Sequence, residues 1–224
     1  MAIMLDVAKA ELAFEAVYSQ PEFGLFDDRS AILNHLFKRL GPHGLRLADI
    51  RFEQGNLNLG EQNIICYLFN YWMTVKIRLE RIEINSSEMP REYVDKFKAA
   101  IVDVLRAVND HRPNLSFGGF VLAVGIHAKL EGLSPRDYIS RFVTTVPQSL
   151  GPSTGHGVVF YFGPEGNRRL SSVTADVSAV TQGAVYLRIH GAWDSTNVLA
   201  DLSSGIGGNY VDQALESMGL SLPG

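Results

Sequence analysis

The chain has one cysteine, Cys66, in 224 residues. A single thiol excludes an internal disulfide and any multi-cysteine metal site, and it fits a reducing compartment. A basic surplus is also missing: 20 Lys and Arg against 24 Asp and Glu leave a net charge of −4. A general nucleic-acid binder needs excess positive charge to neutralise phosphates, so nucleic acid is not an expected partner. Long apolar runs are absent too. The longest nearly uncharged stretch, Asn63 to Val75, is too short to span a bilayer and is rich in aromatic and β-branched residues. No membrane association is expected. Met1 to Lys9 show no basic segment followed by a long apolar one, so no secretory signal is read and the expected location is the cytoplasm.

Motifs that carry chemistry are equally scarce. No two of the six histidines fall at metal-ligand spacing on one helix. His35 and His43 read as solvated or capping residues, and His156 as a loop residue in Ser153-Thr154-Gly155-His156-Gly157. Neither Ser116 nor Ser153 sits in a Gly-x-Ser-x-Gly elbow, and no Walker-type loop exists. Gly205-Ile206-Gly207-Gly208-Asn209 lacks the preceding strand and the downstream acid of a dinucleotide fingerprint, so it reads as a hinge. Cys66, inside an apolar strand, reads as an inert packing thiol. No cofactor, metal or catalytic residue is assigned.

What the chain does have is an internal echo. Leu12-Ala13 is repeated as Leu122-Ala123, and Phe52 to Leu59 as Phe162 to Leu170. Val75-Lys76-Ile77-Arg78-Leu79 is repeated as Val185-Tyr186-Leu187-Arg188-Ile189, all at an offset of 110 or 111, and Tyr93-Val94-Asp95 as Tyr210-Val211-Asp212 at 117. A period this long is far beyond solenoid repeats and points to two copies of a small α+β unit, residues 1–109 and 115–224, fused into one domain.

Periodicity gives the order within each copy. The first reads as a strand over Glu11–Tyr18 and a helix over Arg29–Leu40, capped by Asp27 or Asp28 and stopped by Gly41-Pro42. Strands follow at Leu45–Glu53, Asn56–Gly60, Asn63–Tyr71 and Thr74–Ile84, then a helix past Pro90 to about Val108. The second reads as a strand over Phe117–Leu130 and a helix opened by Ser134-Pro135 and ending near Val146-Pro147. Strands follow near His156–Phe162, Arg168–Val173, Thr174–Val180 and Ala184–Trp193, and a last helix over Gly207–Met218.

That duplicated β-α-β-β-β-β-α order resembles the fold of the TATA-box-binding protein family. The resemblance implies one curved antiparallel sheet with helices on its convex side and the first and last strands of each copy as central neighbours. It covers element order alone. The family's DNA-contacting motifs are not present, so its activity is not carried over. A helix-grip fold is the alternative.

Alternation separates the two faces of such a sheet. Leu12, Phe14, Ala16 and Leu122, Val124, Ile126 face the core, as do Val75, Ile77, Leu79 and Val185, Leu187, Ile189. The opposite face then gathers Glu15, Arg78, His127, Arg188 and His190 near its middle, a set suited to an anionic ligand. Equating Asn63–Tyr71 with Thr174–Val180 places Ile65, Tyr67 and Phe69 inward and Ile64, Cys66 and Leu68 outward. An apolar outward face is expected to be a covered interface. The chain is therefore read as a non-catalytic interaction or assembly protein that binds a protein partner or itself through the open sheet face. The alternative is a binder of, or modest enzyme on, a small anionic ligand at the sheet centre.

Overall fold

A computed structural model describes residues 2–53, 62–143 and 157–222. Among them lie ten strands and five helices of an α+β fold. In chain order they are β1 (Ile3–Tyr18), α1 (Arg29–Leu40), β2 (Ile50–Glu53), β3 (Asn63–Leu68), β4 (Met73–Arg78), β5 (Arg81–Met89) and α2 (Val94–His111). Then come β6 (Phe117–Leu130), α3 (Pro135–Ser140), β7 (Val158–Phe162), β8 (Arg168–Val177), β9 (Val185–Asp194), α4 (Val198–Ser203), α5 (Ile206–Ser217) and β10 (Leu220–Ser221). The expected strand over Asn56–Gly60, and Ser153 and His156, lie outside the described residues.

Nine strands form one antiparallel sheet in the order β2-β3-β4-β5-β1-β6-β9-β8-β7, and β10 adds a short parallel pairing to the start of β1. The long central pair β1–β6 runs from Leu5↔Leu130 to Tyr18↔Phe117, with Ala13 opposite Ala123. Its alternation is clean: Leu12, Phe14 and Ala16 are buried while Ala13 and Glu15 are half-buried on the other face. Near its start, Val7 faces Ala128 but Lys9 faces His127, so Ala8 is a bulge that reverses the phase of the strand. Leu5 and Val7 therefore turn inward at odd positions, whereas Ala10 and Leu12 do so at even ones. The reversal hides the start of the strand, which begins well before Glu11.

The helices cover one face. Asp28 caps α1 by accepting from the Ala31 N–H at 2.9 Å, and Ile32, Leu36 and Leu40 form its buried stripe at a spacing of four. These pack against Phe97, Ile101, Val104, Leu105 and Val108 of α2. Arg39 locks the pair by donating to Asp110 from Nε at 2.9 Å and Nη2 at 2.7 Å. In the second half Ser134 caps α3, and the Tyr138 hydroxyl donates to the Met218 carbonyl at 3.0 Å, tying α3 to the end of α5. The segment read as a small-residue hinge follows α4, which is capped by Asn197, and opens α5. No described helix is long and apolar enough to cross a membrane.

The run Leu45–Glu53 is a strand only from Ile50, after a 3-10 turn over Leu47–Asp49, and three further strand expectations change. The run Thr74–Ile84 is a hairpin, turning at Leu79-Glu80 between β4 and β5. No Gly, Asn or Pro marks that turn. Tertiary hydrogen bonds hold it instead, from Tyr18 N to Glu80 O at 2.9 Å and Glu22 N to Leu79 O at 2.7 Å. Residues expected as two strands at 168–173 and 174–180 form the single strand β8. The third change is in phase: Ile64, Cys66 and Leu68 of β3 pair with Ile77, Val75 and Met73 and are buried in the core. They face the helices, and Ile65 and Tyr67 take the open side. The expected outward interface of Ile64, Cys66 and Leu68 is thus one residue out of phase. Burial pushes the Cys66 thiol up to about 12, in keeping with an inert packing role.

Candidate functional site

No described helix lies on the sheet face opposite α1 and α2, and the strand register sets its side chains in cross-strand rows. One row runs Lys76, Glu83, Glu15, Val121, Ala192. The next runs Thr74, Asn85, Ala13, Ala123, His190, Ser172. A third runs Glu11, Gly125, Arg188, Thr174, and a fourth Lys9, His127, Tyr186, Asp176. The five residues expected to cluster divide between two regions of this face.

Glu15 and Arg78 belong to the first region. Arg81 Nε donates to Glu83 Oε1 at 2.6 Å, and Arg78 Nε stands 3.3 Å from the same oxygen. Glu15 sits 4.0 Å from Arg81. The group is two acids and two bases, closed on itself. Arg78 and Arg188 do not flank the midline as equivalents. Four inter-strand steps separate β4 from β9, about 19 Å at the usual strand spacing. The strand adjacent to β1, as β9 is adjacent to β6, is β5.

His127, Arg188 and His190 belong to the second region, where His127 acts as a lock. Its ring stacks on Tyr186 at 4.7 Å between centroids. Its Nδ1 lies 2.9 Å from Ser178 Oγ and its Nε2 3.4 Å from Glu11 Oε1. Ser178 Oγ also accepts from the Val180 and Thr181 N–H groups, at 3.3 and 2.9 Å. A hydroxyl has two lone pairs and one hydrogen, so both lone pairs are used and the hydrogen goes to Nδ1. The Nε2–H then points at Glu11. This has the donor order of a serine relay, but the oxygen that would attack has no lone pair left and is buried. The arrangement pins the 178–181 turn to the sheet centre.

Between the regions the face sinks into a cavity of about 370 Å³. Small residues make its floor: Ala13, Ala123 and Gly125. A Cβ on Gly125 would meet Glu11 Oε2 at 3.1 Å and the Tyr186 hydroxyl at 3.2 Å, so glycine is what lets these two side chains close over the floor. Arg188, Tyr186 and Glu11 form one wall, and Asn85, Ser87, Thr74, Tyr71 and Trp72 the other. Among the described residues Arg188, like Arg51 and Arg141, makes no ion pair, whereas Arg39, Arg46, Arg78, Arg81, Arg106, Arg112, Arg168 and Arg169 each do; of the three, Arg188 alone lines the cavity, and Arg51 lies over the Tyr67 ring. Arg188 leaves its mark on the neighbours. His190 is held below the usual histidine range, first by burial and then by Arg188. Tyr186 is raised by burial and by Glu11, with Arg188 working against both.

The aromatic wall comes from an unusual turn. Phe69, Asn70 and Tyr71 all have positive φ, at 52°, 55° and 70°. Three consecutive non-glycine residues in this region cost about 1–2 kcal/mol each. Packing holds them there: the Phe69 ring lies 4.7 Å from Phe97, Tyr71 5.0 Å from Tyr67, and Trp72 5.2 Å from Tyr93. The strain is thus anchored in the core of the first half, and its effect is felt at the cavity, where it presents Tyr71 and Trp72. Alternation could not find these two residues, nor Tyr186 as a partner of Glu11. The one sequence signal was Asn70, tolerant of this conformation, set among aromatics.

A second cavity, of about 540 Å³, lies on the helix face between α2 and α4–α5, lined by Leu12, Phe14, Ile101, Leu122, Val124 and Val211 among others. Its charged groups, Asp95, Lys98 and Asp212, are all exposed. A third cavity, of about 200 Å³, is lined by His43, Arg46, Asp49, Tyr67 and Asn70 among others, and its charged pair Arg46–Asp49 is already closed at 2.8 Å. Among the described residues no three His, Cys, Asp or Glu gather as a metal site. No protein-family model matches the chain, and no curated protein matches it significantly.

Proposed function

We propose that the chain is a non-catalytic binding protein that receives an anionic segment of a protein partner on the open sheet face, with Arg188 as the anchor. The observation that carries this reading is an arginine without an ion pair in the wall of a concave site; on the same face Arg78 and Arg81 are paired with acids, and Arg51 lies over the Tyr67 ring outside the cavity. A guanidinium offers a planar fork to carboxylate or phosphate, and Trp72 and Tyr71 opposite it supply the rigid aromatic surface common at binding hot spots. Asn85, Ser87 and Thr74 add neutral donors and acceptors. Glu11 gives selectivity, since an occupant must place its negative charge at Arg188 and away from the carboxylate.

The proposed duplication, residues 1–109 and 115–224, has support in the sheet itself. Ala13 pairs with Ala123, and those positions differ by 110, the offset of the sequence echo, although the same offset joins Val75–Leu79 of β4 to Val185–Ile189 of β9, which hold different places in the sheet. Outward from that pair run β1-β5-β4-β3-β2 on one side and β6-β9-β8-β7 on the other. This favours two fused α+β copies in the order of the TATA-box-binding protein fold, the second with one strand fewer among the described residues. The site then lies on the seam between copies.

Trp72 gives the test a local reporter, because the other tryptophan, Trp193, is buried against Phe120 and can be replaced by Phe. A hexaglutamate peptide titrated into Trp193→Phe protein should change the Trp72 emission and saturate. Adding Arg188→Ala should weaken the affinity about tenfold or more, the usual loss for a charge-assisted pair. Arg106→Ala, on the helix side, should change nothing. Equal binding with and without Arg188 would remove the anchor. Competition by inorganic phosphate alone, at the peptide's own potency, would shift the reading to a small anion, for which the cavity volume is also suitable.

A further inference from the structure

The open-face cavity has one acid and one base in its lining, Glu11 and Arg188, and the rest of the lining is uncharged. Neither satisfies the other. Among the described residues no ion pair joins them, and the ion partner of Glu11 is His127. The sheet register keeps them apart: Glu11 on β1 and Arg188 on β9 flank Gly125 of β6. That is two inter-strand steps, about 10 Å between Cα atoms at the usual strand spacing. The Glu11 carboxylate is held from one side, with its Oε1 3.4 Å from His127 Nε2. Its Oε2 stands beside the Tyr186 hydroxyl over Gly125 and has no hydrogen-bond partner among the described residues. Lys9, in the next cross-strand row, is already paired with Glu88 at 2.8 Å. Keeping Glu11 and Arg188 apart costs the fold little, because exposed ion pairs are weak. It leaves a cavity that is neutral in sum, with a positive end and a negative end.

We propose that the partner segment received here is one of mixed charge, with a carboxylate at Arg188 and the ammonium of a lysine at Glu11. Arg188 keeps the anchoring role given to it above, on which this assignment rests. A uniformly acidic segment satisfies Arg188 but brings its next carboxylate toward Glu11, where like charges repel and Oε2 is left without a partner. A lysine at that place gives every charge of the cavity and of the segment a partner of opposite sign. Such charge-assisted bonds are the strong ones, and a carboxylate covered without a partner is costly. The reach is short. About three residues of extended chain cover 10 Å, so the acid and the lysine lie within a few positions of each other. Trp72 and Tyr71 on the opposite wall then cover both contacts.

The probes are two peptides with blocked termini, hexaglutamate and Glu-Glu-Glu-Lys-Lys-Lys, read by the Trp72 emission of Trp193→Phe protein. The block peptide should bind about tenfold tighter than hexaglutamate, the scale of one added charge-assisted contact. Glu11→Gln removes the charge but keeps an oxygen for His127, so the thermal midpoint should not move. It should weaken the block peptide about tenfold and tighten hexaglutamate, so that the order of the two reverses. Glu15→Gln, which removes a charge from the same face outside the cavity, should leave the order as it is. Arg188→Ala should weaken both peptides. Hexaglutamate binding as tightly as the block peptide, Glu11→Gln shifting both peptides in one direction, or Glu15→Gln reversing the order would each overturn the mixed-charge occupant and leave Arg188 as the anchor. Free glutamate competing at the block peptide's own potency would overturn a segment as the occupant. If neither peptide binds the parent protein, the anchor falls and the mixed-charge occupant falls with it.

Discussion

Arg81 and Arg188 both stand on the open face, each one strand out from the central pair, yet what faces them differs. Arg81 has Glu83 at 2.6 Å and Glu15 at 4.0 Å. Arg188 has Gly125 on one side and Thr174 on the other. A surface ion pair contributes little to stability, about 0–1 kcal/mol, so the fold gains almost nothing from neutralising Arg81 and loses almost nothing by leaving Arg188 open. The difference is one of availability. The first half pairs these charges with one another and turns its aromatics to the wall, and the second half leaves Arg188 without an acid.

The comparison extends to the outer strands, and its largest test is there. In β3 the core side carries Ile64, Cys66 and Leu68, while on the open side of β8 stand Ser172 and Thr174. Leu68→Asp places a carboxylate among Met73 and its core neighbours, and should cost at least about 4 kcal/mol in urea unfolding. Thr174→Asp should leave stability nearly unchanged but give Arg188 an internal partner and abolish hexaglutamate binding. A folded Leu68→Asp chain would put β3 back in the phase carried over from residues 174–180.

A middle-sized effect comes from making the first half resemble the second. Glu83→Gln removes the carboxylate shared by Arg78 and Arg81. Stability should fall by about 1 kcal/mol, reduced by solvent screening because these arginines are about one-third exposed. Anion binding should gain a second, weaker component that survives Arg188→Ala. Binding that stays single-site would mean that a free guanidinium outside the cavity is not enough.

The smallest effect is in protonation. His190 is depressed by burial and by Arg188, so the folded state binds its proton less readily than the unfolded chain. The stability it contributes is present above the unfolded value near 6.5 and is lost as the pH falls from there through the folded value. His111, depressed by burial and by His35, acts in the same direction. An NMR titration should find both below the ordinary histidine range. In Arg188→Ala, His190 should move up and His111 should stay. Equal movement of both would mean that Arg188 acts through global stability and not through its field.

Much of this was legible in the sequence, for reasons that vary by residue. The faces of β1, β6 and β9 follow from alternation because polar and apolar residues take turns there. The phase of β3 does not, since Ile64, Ile65, Cys66, Tyr67 and Leu68 offer no polar side to count from. It is set by pairing with β4, through Cys66↔Val75 and Leu68↔Met73. The β4–β5 hairpin was hidden because hydrogen bonds from Tyr18 and Glu22 hold its turn in place of turn-forming residues. The site was half legible. Alternation puts Glu15, Arg78, His127, Arg188 and His190 on the open face, but the neutralisation of Arg78 depends on Glu83, which only the β4–β5 hairpin brings beside it.

The central pairing of β1 with β6 has a consequence for how the chain folds. Tyr18 and Phe117, the paired residues nearest in sequence, are still 99 positions apart. Closing a flexible loop of that length costs about 4 kcal/mol of chain entropy, and the cost is met once, by whichever pair forms first. Each later pair along the seam extends an existing ladder and adds little further closure cost. The β4–β5 hairpin closes over two residues, whereas the seam must close a loop of about a hundred residues before any of its pairs is gained. The cavity floor, made of Ala13, Ala123 and Gly125, is built from both strands of that seam, so it exists only where this long-range closure has been made.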